Sequence, residues 1–366
     1  LSLTITPLRY QPGFEAAEPD EAQTDDALRD TMLAISQKVA QDEGHAHRSV
    51  HAKSHGLLQG TLTVQPGLPP ELAQGLCAQP GTYAAVMRLS STPGDLLDDS
   101  VSTPRGMAVK VVGVPGERLP GSEDDGTQDL LMVNGPVFSA PTAAKFLKTL
   151  KLLAATTDKA PNAKKVLSAA LRGLESLIEK AGGESGTLKA LGGHPATHIL
   201  GETFFTQVPM LWGPYMAKLS LAPVSPELQA LGGQPIELKG LPDALRGVVR
   251  EHFGRHGGTW ALRVQLCTDL EAMPIEDATV EWPESRSPWH TVALLEVPPQ
   301  NSWSGPRSEA IDDGMSFSPW HGLAAHRPIG SIMRVRKASY EAAAQFRARL
   351  NGVSVAEPKG VEGLPR

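Results

Sequence analysis

Between residues 56 and 135 the chain alternates apolar and polar positions in short runs. GLLQGTLTV at 56–64, TYAAVMRLS at 82–90, GMAVKVVGV at 106–114 and DLLMVNG at 129–135 are β-branched-rich and separated by Gly, Pro and Asp, as expected of strands joined by turns. A helical period follows at 142–153 and again at 163–182, where Val166, Ala169, Leu171, Leu174 and Leu177 form one broad apolar face. This predicts a helical insertion over about residues 142–190. Strands return as HILGETFFTQVPM, YMAKLSLAP, TWALRVQLCTD and WHTVALLEVPP, which makes about eight. None follows a Gly-rich phosphate loop and no regular crossover helices join them, so the pattern predicts an α+β fold built on an antiparallel barrel rather than a doubly wound sheet.

Ahead of the first strand, an acidic, Pro-containing arm over 11–30 leads into a helix at 24–39, with Leu28, Met32, Ile35 and Val39 at helical spacing. The arm is expected to pack late or onto a partner. A last helix spans 336–350 and a Gly/Pro-rich tail covers 351–366. The expected divisions are therefore an arm and helix over 1–44, a main domain over 45–350 and the tail.

Composition narrows the function classes. Among 366 residues, 34 basic against 40 acidic side chains give a net charge of -6, and no Lys/Arg-rich run occurs, so a nucleic-acid partner is not expected. No stretch approaches the ~18 consecutive apolar residues of a spanning helix. Two cysteines, Cys77 and Cys267, are too few for a disulfide scaffold or a four-cysteine metal site, and a reducing, cytoplasmic setting is the expectation. The first residues show no signal-peptide pattern, although a removed leader is compatible with a chain that starts at Leu1. Cys267, at a strand end, is expected to be structural.

Two constellations could carry chemistry. His45, His47, His51 and His55 fall within eleven residues, and on a helix the last three would align toward a metal. Extended backbone instead separates residues four apart by about 13 Å, leaving a solvated His-rich turn or one catalytic histidine among bystanders. On the last helix Arg336, Tyr340 and Arg347 share one face, with only Ala343 and Ala344 between them. Such a face is ordinarily solvated charge, yet it could also take a flat object. Tyr340 is the residue that departs from the solvated pattern.

At five places the chain resembles the haem catalases. RSVHAKSHG is similar to their distal-histidine segment, MRLSST and TPRGMAVK to the two barrel strands after it, DLLMVNGPVF to the segment with the distal asparagine, and RKASY to the proximal Arg-x-x-x-Tyr helix. The resemblance implies an eight-stranded antiparallel barrel with helices around it and a C-terminal haem-ligand helix. It implies haem b, ligated through iron by Tyr340 with Arg336 stabilising the phenolate. It also makes His51 the distal acid–base, with Val50 beside it, Ser90 supporting its imidazole and Asn134 as its polar partner. Arg48, Arg88 and Arg347 match the propionate-binding arginines, and Phe146 an aromatic packed on the distal face of the macrocycle.

Departures from the family pattern refine the expectation. The chain is short and lacks a flavodoxin-like C-terminal domain, so no place for NADPH is implied. Thr103 stands where typical catalases carry a channel aspartate. The length and FSPWHGLAAHRPIGSIMRVR resemble the small catalase-related peroxidases. The implied function is a homo-oligomeric haem peroxidase that cleaves organic or hydrogen peroxides and oxidises a small organic donor. The alternatives are a small true catalase, a fatty-acid hydroperoxide isomerase, against which Val50 in place of threonine argues, and a haem-binding protein without turnover.

Overall fold

A computed structural model describes residues 3–157 and 195–365. The helix expected at 163–182 lies outside the described residues. Strands β1 (Lys53–Val64), β2 (Thr82–Ser91), β3 (Arg105–Val112), β4 (Thr127–Val133), β5 (Phe204–Phe205), β6 (Met210–Trp212), β7 (Tyr215–Pro223), β8 (Gly258–Leu266) and β9 (His290–Val297) pair antiparallel throughout. β1 joins β9, while β5 bonds both β4 and β7, so eight strands close into a barrel and β6 lies outside the ring on β7. This is the expected eight-stranded antiparallel barrel.

Alternation decides which side chains enter the ring. Ala85, Met87 and Leu89 of β2, Met107, Val109 and Val111 of β3, and Leu262, Val264 and Leu266 of β8 belong to one continuous buried core. Their neighbours Val86, Arg88 and Ser90 point the opposite way, because side chains two apart share a face. Val86 accordingly packs outside the barrel, with Leu57, Ile311, Met315, Phe317 and the tail residues Val361 and Leu364. Arg88 and Ser90 of β2 thus face the wrapping segments.

One expectation changes in detail. The run 198–210, read as a single strand, is instead a 3-10 turn at Ile199–Gly201 followed by the short β5 and β6. Gln207 stands at φ 64, a left-handed conformation that interrupts a strand, and Pro209 lacks the N–H a ladder needs.

Outside the ring lie α1 (Glu21–Glu43), α2 (Ala143–Thr157), α3 (Ala244–Phe253) and α4 (Arg336–Asn351). α1 and α4 end on Gly44 and Gly352, at φ 70 and 65, where the left-handed conformation favours glycine. Leu28 of α1 meets Ala143 and Leu150 of α2 and Val335 just before α4. The N-terminal arm lies on its own chain: Leu8, Tyr10 and Phe14 pack with Met216, Cys267, Met273 and Trp282, and the Leu8 N–H donates to the Cys267 carbonyl at 2.8 Å. These apolar side chains thus lie against the barrel of their own chain. Among the described residues no helix is long and apolar enough to cross a membrane.

Candidate active site

The four clustered histidines do not converge on one point, although the rings of His45 and His47 lie 5.1 Å apart. His45 pairs with Asp313 at 3.1 Å, His55 turns at a bulge in β1 toward Ser91 Oγ at 2.9 Å, and His51 turns to Ser90, with Nδ1 and Oγ 3.3 Å apart. Among the described residues no group of three or more His, Cys, Asp or Glu is placed to hold a metal ion. Residues 44–52 are bends and irregular backbone, neither helix nor strand, so the helical alignment of the last three histidines is not formed.

Among the described residues His51 is one of two non-glycine residues at positive φ, at 56°, a conformation disfavoured for a residue with a Cβ and commonly found where a site over-determines the backbone. Arg88 supplies that constraint. Its Nη1 donates to the His51 carbonyl at 2.9 Å, its Nη2 to the Ala52 carbonyl at 3.1 Å and its Nε to Asp312 Oδ1 at 2.6 Å. Across the sheet from Ser90 is Gly106, where an added Cβ would come within 2.6 Å of His51 Nδ1. Only glycine lets the imidazole lie so close to the strand. Burial, then the positive charges of Arg88 and Arg336, drive the His51 pKa down to about 3. The ring is neutral at physiological pH, and Arg336 at the start of α4 acts on the same space as His51.

A second group of cations lies beside it. Arg48 donates through Nη2 to the carbonyls of Ile311, Asp312 and Met315, and Arg347 Nη2 also donates to Met315 at 2.9 Å. Burial lowers the pKa of both: the charges of Arg347 and Arg88 add to the effect at Arg48, and Arg88 helps bring Arg347 to about 10. Asp312 sits among them in a π-helical turn, Glu309–Asp313, a feature frequent at functional sites. Its own burial would raise its pKa, but Arg88, Arg48 and a hydrogen bond from Ser54 hold it below the usual carboxylate range. Among the described residues Nε of Arg48 and Nε of Arg347 remain buried without a hydrogen-bond partner. Buried donors of this kind call for an acceptor, and here its chemistry is anionic.

The remaining residues are placed less uniformly. Tyr340 is half-buried on α4, and among the described residues no hydrogen bond reaches its hydroxyl. The Arg336 guanidinium is directed elsewhere: its Nη1 lies 3.6 Å from Met333 Sδ and it covers the Phe138 ring at 5.5 Å. Phe146 of α2 meets Phe138 edge-on at 5.0 Å, so Phe138 is the ring between Phe146 and Arg336. Phe138 was not among the residues the sequence singled out, although it ends the DLLMVNGPVF segment that was. Val50 is half-buried beside His51. Asn134, just beyond β4, accepts from the Arg105 N–H through Oδ1 at 2.8 Å and donates from Nδ2 to Glu202 at 2.7 Å. Thr103 lines a cavity of about 10 Å³ with Ser91, Asp98, Asp99 and Arg105, room for a single water.

No protein-family profile matches the chain, and no curated protein matches it. Solved structures do. A fungal catalase is similar over 90% of this chain and 68% of its own, with a TM-score of 0.58 and 17% identity. Catalase A from Saccharomyces cerevisiae gives 95% and 68%, a TM-score of 0.56 and 17% identity. A bacterial catalase gives 86% and 60%, 0.55 and 16%. The chain has the catalase fold, and it spans 60–68% of the lengths of these three proteins.

Proposed function

We propose that this chain is a haem-dependent enzyme that cleaves peroxides and oxidises a small organic donor, in the manner of the small catalase-related peroxidases. The observation that carries the reading is the pair of unpartnered buried Nε donors on Arg48 and Arg347, beside a neutral His51 on whose charge state Arg336 of the Tyr340 helix also acts. Two buried guanidiniums with unsatisfied donors fit the two propionates of haem b. Tyr340 would ligate iron, and Ala343 and Ala344 leave the helix face between it and Arg347 flat. Arg88 is fully engaged by Asp312 and two carbonyls, so its charge acts here chiefly by fixing His51.

Haem, which Tyr340, Arg48 and Arg347 would hold, would supply the redox chemistry of O–O cleavage when bound. The chain's own part is proton handling. A neutral His51 can accept the peroxide proton at its free ring nitrogen and release it readily to the departing oxygen, since its pKa is far below neutrality. Ser90 holds the other nitrogen. Asn134 contributes a fixed amide dipole one residue along from the contact between Gly106 and His51. Thr103 gives the approach no carboxylate of its own, which favours a cycle of one peroxide and one donor over two successive peroxides. A small true catalase is the second reading, favoured by the pairing of His51 with Ser90.

The test is a haem-loaded preparation assayed for oxygen release from hydrogen peroxide and for donor oxidation with cumene hydroperoxide. Donor turnover with little oxygen supports the peroxidase; rapid oxygen release with negligible donor turnover reverses the order. A ferric absorption spectrum without a tyrosinate-haem signature removes both.

A further inference from the structure

Glu202 has no part in the site as read from the sequence, yet it touches Asn134 directly. It reaches the site from the segment between residue 195 and β5, on the far side of the insertion. Its Oε2 accepts from Asn134 Nδ2 at 2.7 Å, while Oε1 accepts from Thr197 Oγ1 at 3.0 Å and pairs with the Arg105 guanidinium. Arg105 closes the ring, because its backbone N–H donates to Asn134 Oδ1 at 2.8 Å. The carboxylate side chain is 15% exposed.

We propose that Glu202 is a positioning residue for Asn134, fixing which end of the amide points where. The inference rests on the reading of Asn134 as the polar partner of His51. The two ends of an amide are nearly equal in shape, so only hydrogen-bond chemistry distinguishes them. An ionised carboxylate accepts and never donates, which requires Nδ2 opposite Glu202. A backbone N–H donates and never accepts, which requires Oδ1 opposite Arg105. Both ends are thereby assigned, and the flipped amide would set like against like at two contacts. Thr197 and Arg105 anchor the second oxygen, so the carboxylate cannot swing away. Glu202→Gln keeps the shape but presents a donor and an acceptor, and the assignment loses its strongest element. The ring stands immediately beside the strand position where Gly106 meets His51.

The chain contains four asparagines, so 15N-asparagine labelling gives four side-chain amide pairs, and that of Asn134 is identified by its loss in Asn134→Ala. The spectrum is recorded on the protein as purified, or as the diamagnetic ferrous carbon monoxide form where haem is bound. In the wild type the Asn134 amide protons should exchange slowly. Glu202→Gln should speed their exchange about tenfold or more, the scale of one lost charge-assisted hydrogen bond. Thr197→Val should act in the same direction more weakly, and it serves if Glu202→Gln does not fold. Unchanged shifts and exchange in both variants overturn the proposal. The C–O stretch of the carbon monoxide complex separates the two readings. If Asn134→Ala moves the stretch, Glu202→Gln must move it the same way, and failure to do so overturns the positioning role. If Asn134→Ala leaves the stretch unmoved while Glu202→Gln still speeds amide exchange, the distal reading of Asn134 falls and its positioning by Glu202 stands.

Discussion

Arg88 donates to the backbone carbonyl of His51 at 2.9 Å, and its charge is also the first electrostatic cause, after burial, of the depressed His51 pKa. One guanidinium therefore sets both the left-handed backbone of the candidate base and its proton affinity. Position and chemistry at His51 cannot be changed independently through Arg88. Arg88→Lys would keep the charge but lose the planar fork that reaches two carbonyls and a carboxylate together.

Asp312→Asn should destabilise the fold by about 3 kcal/mol or more, because it leaves buried Arg88 and Arg48 without their shared counter-charge. Urea unfolding measures this. A loss below about 1 kcal/mol would mean that the two arginines are solvated well enough to stand unpaired.

Protonation of His51 gives a signed pH dependence. Its folded pKa of about 3 lies below the unfolded value of 6.5, so between these limits the unfolded chain binds a proton that the folded chain does not. Stability from this group is full above pH 6.5 and is lost as the pH falls toward 3, on the order of a few kcal/mol in all. Over pH 6.5 to 4, urea midpoints should fall more steeply in the wild type than in His51→Gln. The His51-dependent step should show no acid limb between pH 5 and 8.

Gly106→Ala places a methyl group within 2.6 Å of His51 Nδ1. The ring must move off Ser90, so peroxide cleavage should drop by roughly 10²-fold, the scale of lost acid–base catalysis, at a stability cost of about 1–3 kcal/mol. Stopped-flow peroxide kinetics beside a melting curve separates the two effects. Wild-type kinetics in a folded Gly106→Ala variant would detach His51 from the reaction.

Tyr340→Phe should abolish stable haem retention or change the ferric spectrum to that of another ligand. Paired substitution of Arg48 and Arg347 by Gln should weaken haem affinity while leaving the tyrosinate spectrum of the bound fraction intact. Haem titration followed at the Soret band reads both.

Thr103→Asp adds a carboxylate to a cavity already lined by Asp98 and Asp99. Oxygen release from hydrogen peroxide should rise relative to donor oxidation. Equal ratios in the two proteins would remove Thr103 as the reason for favouring the peroxidase.

The sequence made visible what periodicity and short-range spacing encode. Strands β2, β3, β7 and β8 alternate clearly, and Arg88 and Ser90, two apart on a strand, share a face by that alternation alone. His51 was separable from its neighbours only by the resemblance, since nothing in HAHRSVHAKSH marks which imidazole meets a serine. Asp312 was invisible because SEAIDDGM has neither period, and its role depends on Arg88, more than two hundred residues earlier. Glu202 was hidden inside a run read as one strand, where alternation says nothing about an interruption at Gln207. Phe138 was within reach, since the segment that holds it was already identified.

Closure of the barrel ties the two ends of the chain's main domain together: Thr61 of β1 lies opposite Glu296 of β9, more than half the sequence away, and the other seam depends on the two residues of β5. Ladders that join such distant segments form late, because the entropy of closing a long loop precedes any gain from pairing. The outer wall that carries Arg88, Ser90 and Gly106 is the exterior of that ring. It has no fixed curvature until the ring shuts, so an occupant has nothing to bind before that moment. Refolding should accordingly proceed at a rate independent of cofactor concentration, with uptake following as a separate, second-order event.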